Sequence, residues 1–467
     1  MLLNTSKTNQ QNLFYSSLSD MLDMNNSLIA LANVIDWKIF ENEFAIFYSK
    51  DGSPAKPIRL MVGLLILKQL ENLSDESIVI QWKRNPYYQY FCGYNEMQLC
   101  EPCHSTQLVK FRQRIGKKGM ELIFKVSVQL HGPCAEEQQV LIDTTVQEKN
   151  ITYPTDGKLA IKMIHHLHKI AKKEQLNLRR TFVKEIKEHR INLRFFKHPK
   201  KIKKARASIK RLRTIVGILI RDISRILQPE QLVNYQEKFD LFDKVRNQQI
   251  KDSNKVLSLH ESHVYAITKG KDHKKYEYGT KASIVATKDS GVIVGVASHS
   301  KNEHDSKTLE LALTSANQTR TTPIKEAICD RGYRGVKEVL GTIISIPGSS
   351  LKRDSEYQKK NKREKFKRRA AIEPIIGHLK SDFRLARNYL KGFIGDQINL
   401  LLAATAWNLK KWINIYFFAL FSAEIKLLLE SIIQIKLYYQ IFLQFLIIKL
   451  IIVSEKFKSN QVTSFLL

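Results

Sequence analysis

Cysteine is scarce in this chain of 467 residues: the five, Cys92, Cys100, Cys103, Cys134 and Cys329, are unevenly spaced. That excludes a disulfide framework and leads us to expect a reducing, cytoplasmic setting. Acidic residues are also short, with 45 Asp and Glu against 76 Lys and Arg, a formal net charge of +31. So large a positive field calls for a polyanionic partner and says little about fold. The opening Met1-Leu-Leu-Asn-Thr-Ser-Lys has neither the basic region nor the apolar core of a signal peptide. The uncharged apolar run Leu437–Ile448 is too short to cross a bilayer. No membrane association is therefore expected, and nucleic acid becomes the natural polyanion. The hydrophobic fraction of 43% is enough for real cores, and the length suggests two to three domains.

Cys100-Glu-Pro-Cys103-His104 matches the C-x-x-C-H pattern of haem attachment. Nothing else in the chain supports haem, and zinc would need two further ligands that no second C-x-x-C pair supplies. The segment reads as a turn. His165, His166 and His168 have no acidic partner nearby in sequence and read as surface residues.

Residues 1–135 read as all-helical. Ser105-Thr-Gln-Leu-Val-Lys-Phe-Arg-Gln-Arg-Ile-Gly forms one helix, capped by Ser105 or Thr106 and stopped at Gly116. Its stripe of Leu108, Phe111 and Ile115 leaves Lys110, Arg112 and Arg114 projecting elsewhere, as on a DNA-facing helix. From 136 to 412 strands come first and helices then alternate with strands, which implies an α/β domain with a mixed sheet. Strands are expected at Gln139–Val146, His263–Thr268, Tyr276–Thr287, Val292–Ser298, Ile324–Cys329 and Thr342–Ile346, with helices at Asp305–Ala316 and Gly332–Leu340. A helical insertion occupies 158–255; within it Ile209, Leu212, Val216, Leu219 and Ile223 share one face. Leu351–Arg369 is basic without apolar periodicity and reads as a loop. Residues 413–467 form an apolar helical tail of unknown role.

Three acids stand out. Asp143 and Asp330 close apolar runs that read as strand ends, and Glu373 sits where a helix begins. Carboxylates gathered from separate elements suit hard cations such as Mg²⁺, and a pair of such ions can cut and join phosphodiesters. Asp156, Asp272, Asp289 and Asp305 read instead as turn or helix-start residues.

Phe366-x2-Arg369-x3-Glu373-x6-Lys380 resembles the Tyr-x2-Arg-x3-Glu-x6-Lys signature of bacterial insertion-sequence DDE transposases, with Phe in place of Tyr. Asp330-Arg-Gly-Tyr-Arg-Gly is similar to the segment around that family's second catalytic acid, and Asp143-Thr-Thr to the first. Lys269-Gly-Lys-Asp-His-Lys-Lys-Tyr-Glu-Tyr-Gly, Asn85-Pro-Tyr-Tyr-Gln-Tyr-Phe-Cys-Gly and Lys110-Phe-Arg-Gln-Arg-Ile-Gly also resemble family sequence. The likeness spans about residues 40 to 412 and leaves out the tail. It implies an RNase H-like core in which Asp143, Asp330 and Glu373 are the catalytic residues and ligands of two Mg²⁺ ions, with Mn²⁺ as a substitute. It further implies cleavage at element ends in double-stranded DNA and joining of the freed 3′-hydroxyls to target DNA. Arg331, Arg369 and Lys380 would hold DNA phosphates, and a homodimer would work on nucleoid DNA. A catalytically inactive DNA-binding remnant, acting as a repressor, is the alternative; a structure-specific nuclease is the third. Pro374 should start or kink a helix and so disturb Glu373.

Overall fold

The computed structural model describes residues 16–49, 54–249, 251–252, 254–268, 275–346, 348, 351 and 353–463. Lys269–Lys274 of the family-like segment lie outside the described residues. Seven strands make one mixed sheet: β1 Gln139–Glu148, β2 Tyr265–Ile267, β3 Glu277–Thr287, β4 Ile293–His299, β5 Glu326–Ile328, β6 Glu338–Val339 and β7 Thr342–Ser345. Its order is β2-β3-β1-β5-β7-β6, with β4 also paired to β3. The β1–β3, β2–β3, β3–β4 and β6–β7 pairs are antiparallel, whereas β1–β5 and β5–β7 are parallel. This is the α/β, RNase H-like arrangement expected from the sequence, with an all-helical N-terminal region and a helical insertion.

The apolar runs explain the packing. The helix Ile58–Leu70 is buried on nearly every side, and its residues share a continuous core with the sheet and with Leu400–Leu409 of the C-terminal helix. The N-terminal helices therefore dock on the start of the C-terminal helix, which itself packs on the sheet at β4. Gln69 Nε2 donates to the Phe383 carbonyl at 2.6 Å, and Asn72 Nδ2 to that of Ser381 at 3.1 Å. Ser381 ends the helix that carries Glu373 and Phe383 lies just past it, so that helix is tied at its C-terminal end. The insertion, with helices Asp156–Lys173, Val183–Asn192, Ile202–Ile226 and Pro229–Asn247, has a separate core built on Leu212, Val216, Leu219 and Ile223. A buried network anchors its exit: Lys149 Nζ lies 2.5 Å from Asp396 Oδ1, and His263 Nε2 lies 2.9 Å from Asp396 Oδ2.

Several local expectations are corrected. Gly332–Leu340 is not a helix: a short 3-10 turn, Arg331–Tyr333, leads into the β6–β7 hairpin. Leu340 and Gly341 close that hairpin with φ of 50° and 74°, the two positive values that a tight primed turn requires. The basic block is no loop but the helix Glu356–Arg369, opened by a Ser355–Gln358 capping box. Helix-favouring Lys, Arg, Glu and Gln fill it, and Lys365 pairs with Glu326 of β5, so it needs no apolar face. Gly116 interrupts its helix as expected: with φ 56° and ψ −156° it is non-helical, and a second helical segment continues from it to Gln129 across a kink. The cap there is His104, not Ser105 or Thr106. The tail continues one helix, Gly392–Thr463, whose side chains are mostly buried as far as Ile413 and which then exposes Phe417, Phe418 and Phe421. Among the described residues, no helix is long and apolar enough to cross a membrane.

Candidate active site

β1 and β5 are neighbouring parallel strands, with Leu141 opposite Ile328. Continuing that register by two residues sets Asp143 beside Asp330, on the same face as Leu141 and Ile328, because side chains alternate along a strand. Adjacent strands run roughly 5 Å apart. Asp143 lies inside β1, not at its end as expected; the site forms because β5 stops at Ile328. Leu141, Ile328 and Ile372 form one buried cluster, with Phe366 and Ile376 packed against it. Ile372 opens the helix Ile372–Ser381, and Glu373 follows it. The packing of Ile372 in this cluster sets the start of that helix against β1 and β5, with Glu373 the next residue along.

Both strand carboxylates are partly exposed and locally held. Asp143 Oδ1 accepts the Thr144 N–H at 2.7 Å, and Asp330 Oδ1 accepts the Gly332 N–H at 2.8 Å. Their charges reach the buried groups around them. Burial raises the Cys329 thiol pKa, and Asp330 and Asp143 raise it further, while Arg369 opposes them. Burial likewise raises the Tyr333 phenol, with Cys329, Asp143 and Asp305 adding to the rise.

Glu373 is exposed and engaged elsewhere, its Oε1 accepting from Arg369 Nη2 at 3.1 Å. The helix breaks at Ala370 and Ala371, between Glu356–Arg369 and Ile372–Ser381, just before Pro374. Glu373 nevertheless falls within the first turn of the second helix, so Pro374 starts that helix without expelling it. The Phe366 ring packs on the Leu141–Ile328–Ile372 cluster, which shows what an aromatic does at that position without a hydroxyl. Lys380 is half-buried on the same helix as Glu373, and Arg331 is exposed beside Asp330.

Asp305 is more than the helix-start residue expected from the sequence. It does open Asp305–Thr319, but its Oδ1 also accepts from Thr144 Oγ1 at 3.0 Å and from Lys281 Nζ at 2.9 Å. Its Oδ2 and Asp330 Oδ1 each lie 3.0 Å from where a Cβ on Gly332 would stand, so these two oxygens are no more than about 6 Å apart. Gly332 keeps the space between them open. A fourth carboxylate thus adjoins the site. The signal for it in sequence was weak, since Asp is common at helix starts.

The N-terminal basic residues divide. Lys110 and Arg114 are exposed, with Arg114 stacked on Tyr48 at 4.4 Å. Arg112 does not face DNA: it is buried and forked onto Asp75, with Nη1 and Nη2 at 2.9 and 2.5 Å. Contrary to the sequence expectation, this buried guanidinium, paired to Asp75, serves the fold. His166 and His168 are half-buried, not surface residues; His166 lies against Phe242.

Among the described residues, no three His, Cys, Asp or Glu side chains stand close enough together to hold a metal ion. The donors are still of the right kind for a hard divalent cation: one carboxylate within β1, one just past the end of the neighbouring β5, and a third at the start of the helix Ile372–Ser381. Glu373 would complete the set by leaving Arg369.

Known proteins resemble the chain on both sides of the insertion. Residues 16–114 match the family described as Transposase domain (DUF772), and residues 252–409 match the Transposase DDE domain. An uncharacterised protein of Rhizobium meliloti, ORF8 in the nfe locus, is 37% identical over 194 residues, which is 40% of this chain and 94% of that protein. No solved structure matches. With Asp143 on β1, Asp330 just past the end of the neighbouring β5, and these two family matches flanking the insertion, the chain belongs to the DDE transposases of insertion sequences.

Proposed function

We propose that this transposase cuts DNA at the ends of its element and joins the freed 3′-hydroxyls to target DNA, with Asp143, Asp330 and Glu373 holding two divalent cations. Mg²⁺ is the expected ion and Mn²⁺ its substitute, since carboxylate oxygens suit both. When bound, the ions activate the attacking oxygen and stabilise the leaving one. The observation that carries the reading is the packing of Ile372 against Leu141 and Ile328, each of which lies one or two residues before an acid.

Chemistry on the protein side follows from charge. Arg369 engages Glu373 and acts electrostatically on Cys329, next to Asp330. An entering phosphate would compete for this guanidinium, releasing Glu373 toward the strand carboxylates as the substrate arrives. Arg331 and Lys380 would hold neighbouring phosphates. Lys281 keeps Asp305 in place and offsets its charge. The working form is a homodimer on nucleoid DNA, with double-stranded element ends and target as its partners.

The test is to incubate the protein with DNA carrying the ends of the element and Mg²⁺. Wild type should yield 3′-nicked and strand-transfer products that Asp330→Ala does not. Nicking without joining would indicate a nuclease. DNA binding indifferent to Mg²⁺, without products, would mark an inactive remnant acting as a repressor.

A further inference from the structure

The insertion carries a basic groove that the carboxylate site does not use. Arg206, Lys210, Arg213 and Arg221 of the helix Ile202–Ile226 line it, together with Arg246 of the neighbouring helix Pro229–Asn247. The groove has a volume of about 370 Å³ and is open to solvent. Spacings of four, three and eight residues put the four side chains of the first helix on one stripe, and fifteen residues at 1.5 Å each span about 22 Å.

Gly217 sits where the next side chain of that stripe would project. A Cβ there would lie 2.3 Å from Arg246 Nη1 and 3.4 Å from Arg221 Nη1, so the glycine lets the guanidinium of one helix cross over the other. Among the described residues two carboxylates answer these five cations: Asp156 pairs with Arg213 at 2.8 Å, and Asp243 with Arg246 at 2.9 Å. Among the described residues, Arg206, Lys210 and Arg221 have no carboxylate partner, and Arg246 Nε has no hydrogen-bond acceptor. Gathering unpaired cations is unfavourable unless an anion joins them. The opposite face of the helix packs in the insertion's apolar core, and of the stripe Arg213 alone is tied to neighbouring elements, through Asp156 and the Gln248 carbonyl, among the described residues.

We propose that this groove binds the sugar-phosphate backbone of a duplex DNA segment, as a second contact beyond the carboxylate site and without regard to base sequence. A stripe of about 22 Å covers some six base pairs at 3.4 Å each along one strand. Exposed Arg and Lys side chains meeting phosphates position a duplex but do not read it. The inference rests on the transposase reading only for the identity of the polyanion.

The experiment uses the full chain with Arg206→Ser, Lys210→Ser and Arg221→Ser combined. Binding to a random-sequence duplex is followed by fluorescence anisotropy across a salt series. With three phosphate contacts removed, the slope of log affinity against log salt should become shallower by about 2.7, at about 0.9 per contact. The loss should be the same for any sequence, while 3′-nicking of element-end DNA persists. If wild type binds and nicks, and the variant keeps both slope and affinity, the groove is overturned and the catalytic reading stands. If wild type neither binds nor nicks, the catalytic reading falls and takes the groove's DNA with it. Should circular dichroism show the triple variant misfolded, the single changes Arg206→Glu and Lys210→Glu, both at exposed side chains, give the same measurement. An unchanged slope in both would overturn the proposal equally.

Discussion

Replacing Lys281 with Met should weaken the protein without metal and make Mg²⁺ unusually stabilising. Lys281 Nζ is 2.9 Å from Asp305 Oδ1 and is the cation that offsets a carboxylate no more than about 6 Å from Asp330. Two unit charges at about 6 Å and an effective dielectric constant of about 20 repel by about 2.8 kcal/mol. Partial exposure of Asp305 reduces this, so a loss of about 1–2 kcal/mol is expected, with the methionine stem filling most of the lysine's space. At about 2–4 °C per kcal/mol, the melting temperature should drop by several degrees. A divalent cation at Asp330 would supply the missing positive charge, and a ligand that binds the folded state raises its stability. Melting curves with and without Mg²⁺ should therefore show a larger metal-induced rise in Lys281→Met than in wild type. Equal rises, or a variant as stable as wild type without metal, would refute the reasoning.

Other outcomes follow from the same geometry. Arg112→Ala leaves Asp75 and Lys68 buried without their guanidinium and should cost about 3–5 kcal/mol in urea unfolding, whereas Lys110→Ala should leave stability within about 0.5 kcal/mol and weaken DNA binding. Burial pushes the Asp75 carboxyl up, but the Arg112 hydrogen bonds and the Lys68 charge outweigh it and hold its pKa at about 2. The stabilisation from that depression is complete above the ordinary value of 3.8 and is lost as pH falls through about 2. The stability gap between wild type and Asp75→Asn should accordingly narrow from pH 4 to 2. Burial dominates for Lys68, which falls to about 8, so the cluster as a whole stabilises less than the Asp75 shift alone suggests. Phe366→Ala should lower both stability and nicking, while Phe366→Tyr should retain the packing on Ile372 and keep both.

The apolar runs that end near Asp143 and Asp330 carried the sheet, because burial on both faces leaves such runs near-continuous. Register was the hidden part. Nothing in the spacing of Leu141 and Ile328 announces that they are neighbours, and it is their pairing that sets the two acids side by side. The contact of Ile372 with both strands was equally invisible, since it joins segments far apart in sequence. The basic block before Glu373 lacks an apolar face, so periodicity could not reveal its helix; the Ser355–Gln358 capping box could have. Arg112 misled for the opposite reason. Its place beside Lys110 and Arg114 suggested a solvated stripe, but Asp75, on another helix, draws it inward. Asp305 shows how an acid with an ordinary local role, opening a helix, can also belong to a site assembled in three dimensions.

Electron paramagnetic resonance of Mn²⁺ bound to the protein on element-end DNA probes the shared carboxylates themselves. Wild type should bind the ion, Asp143→Ala and Asp330→Ala should lose it, and Glu373→Gln should hold it more weakly. Wild-type Mn²⁺ spectra and occupancy in all three variants would mean that these side chains do not share a metal, and the catalytic account would fail.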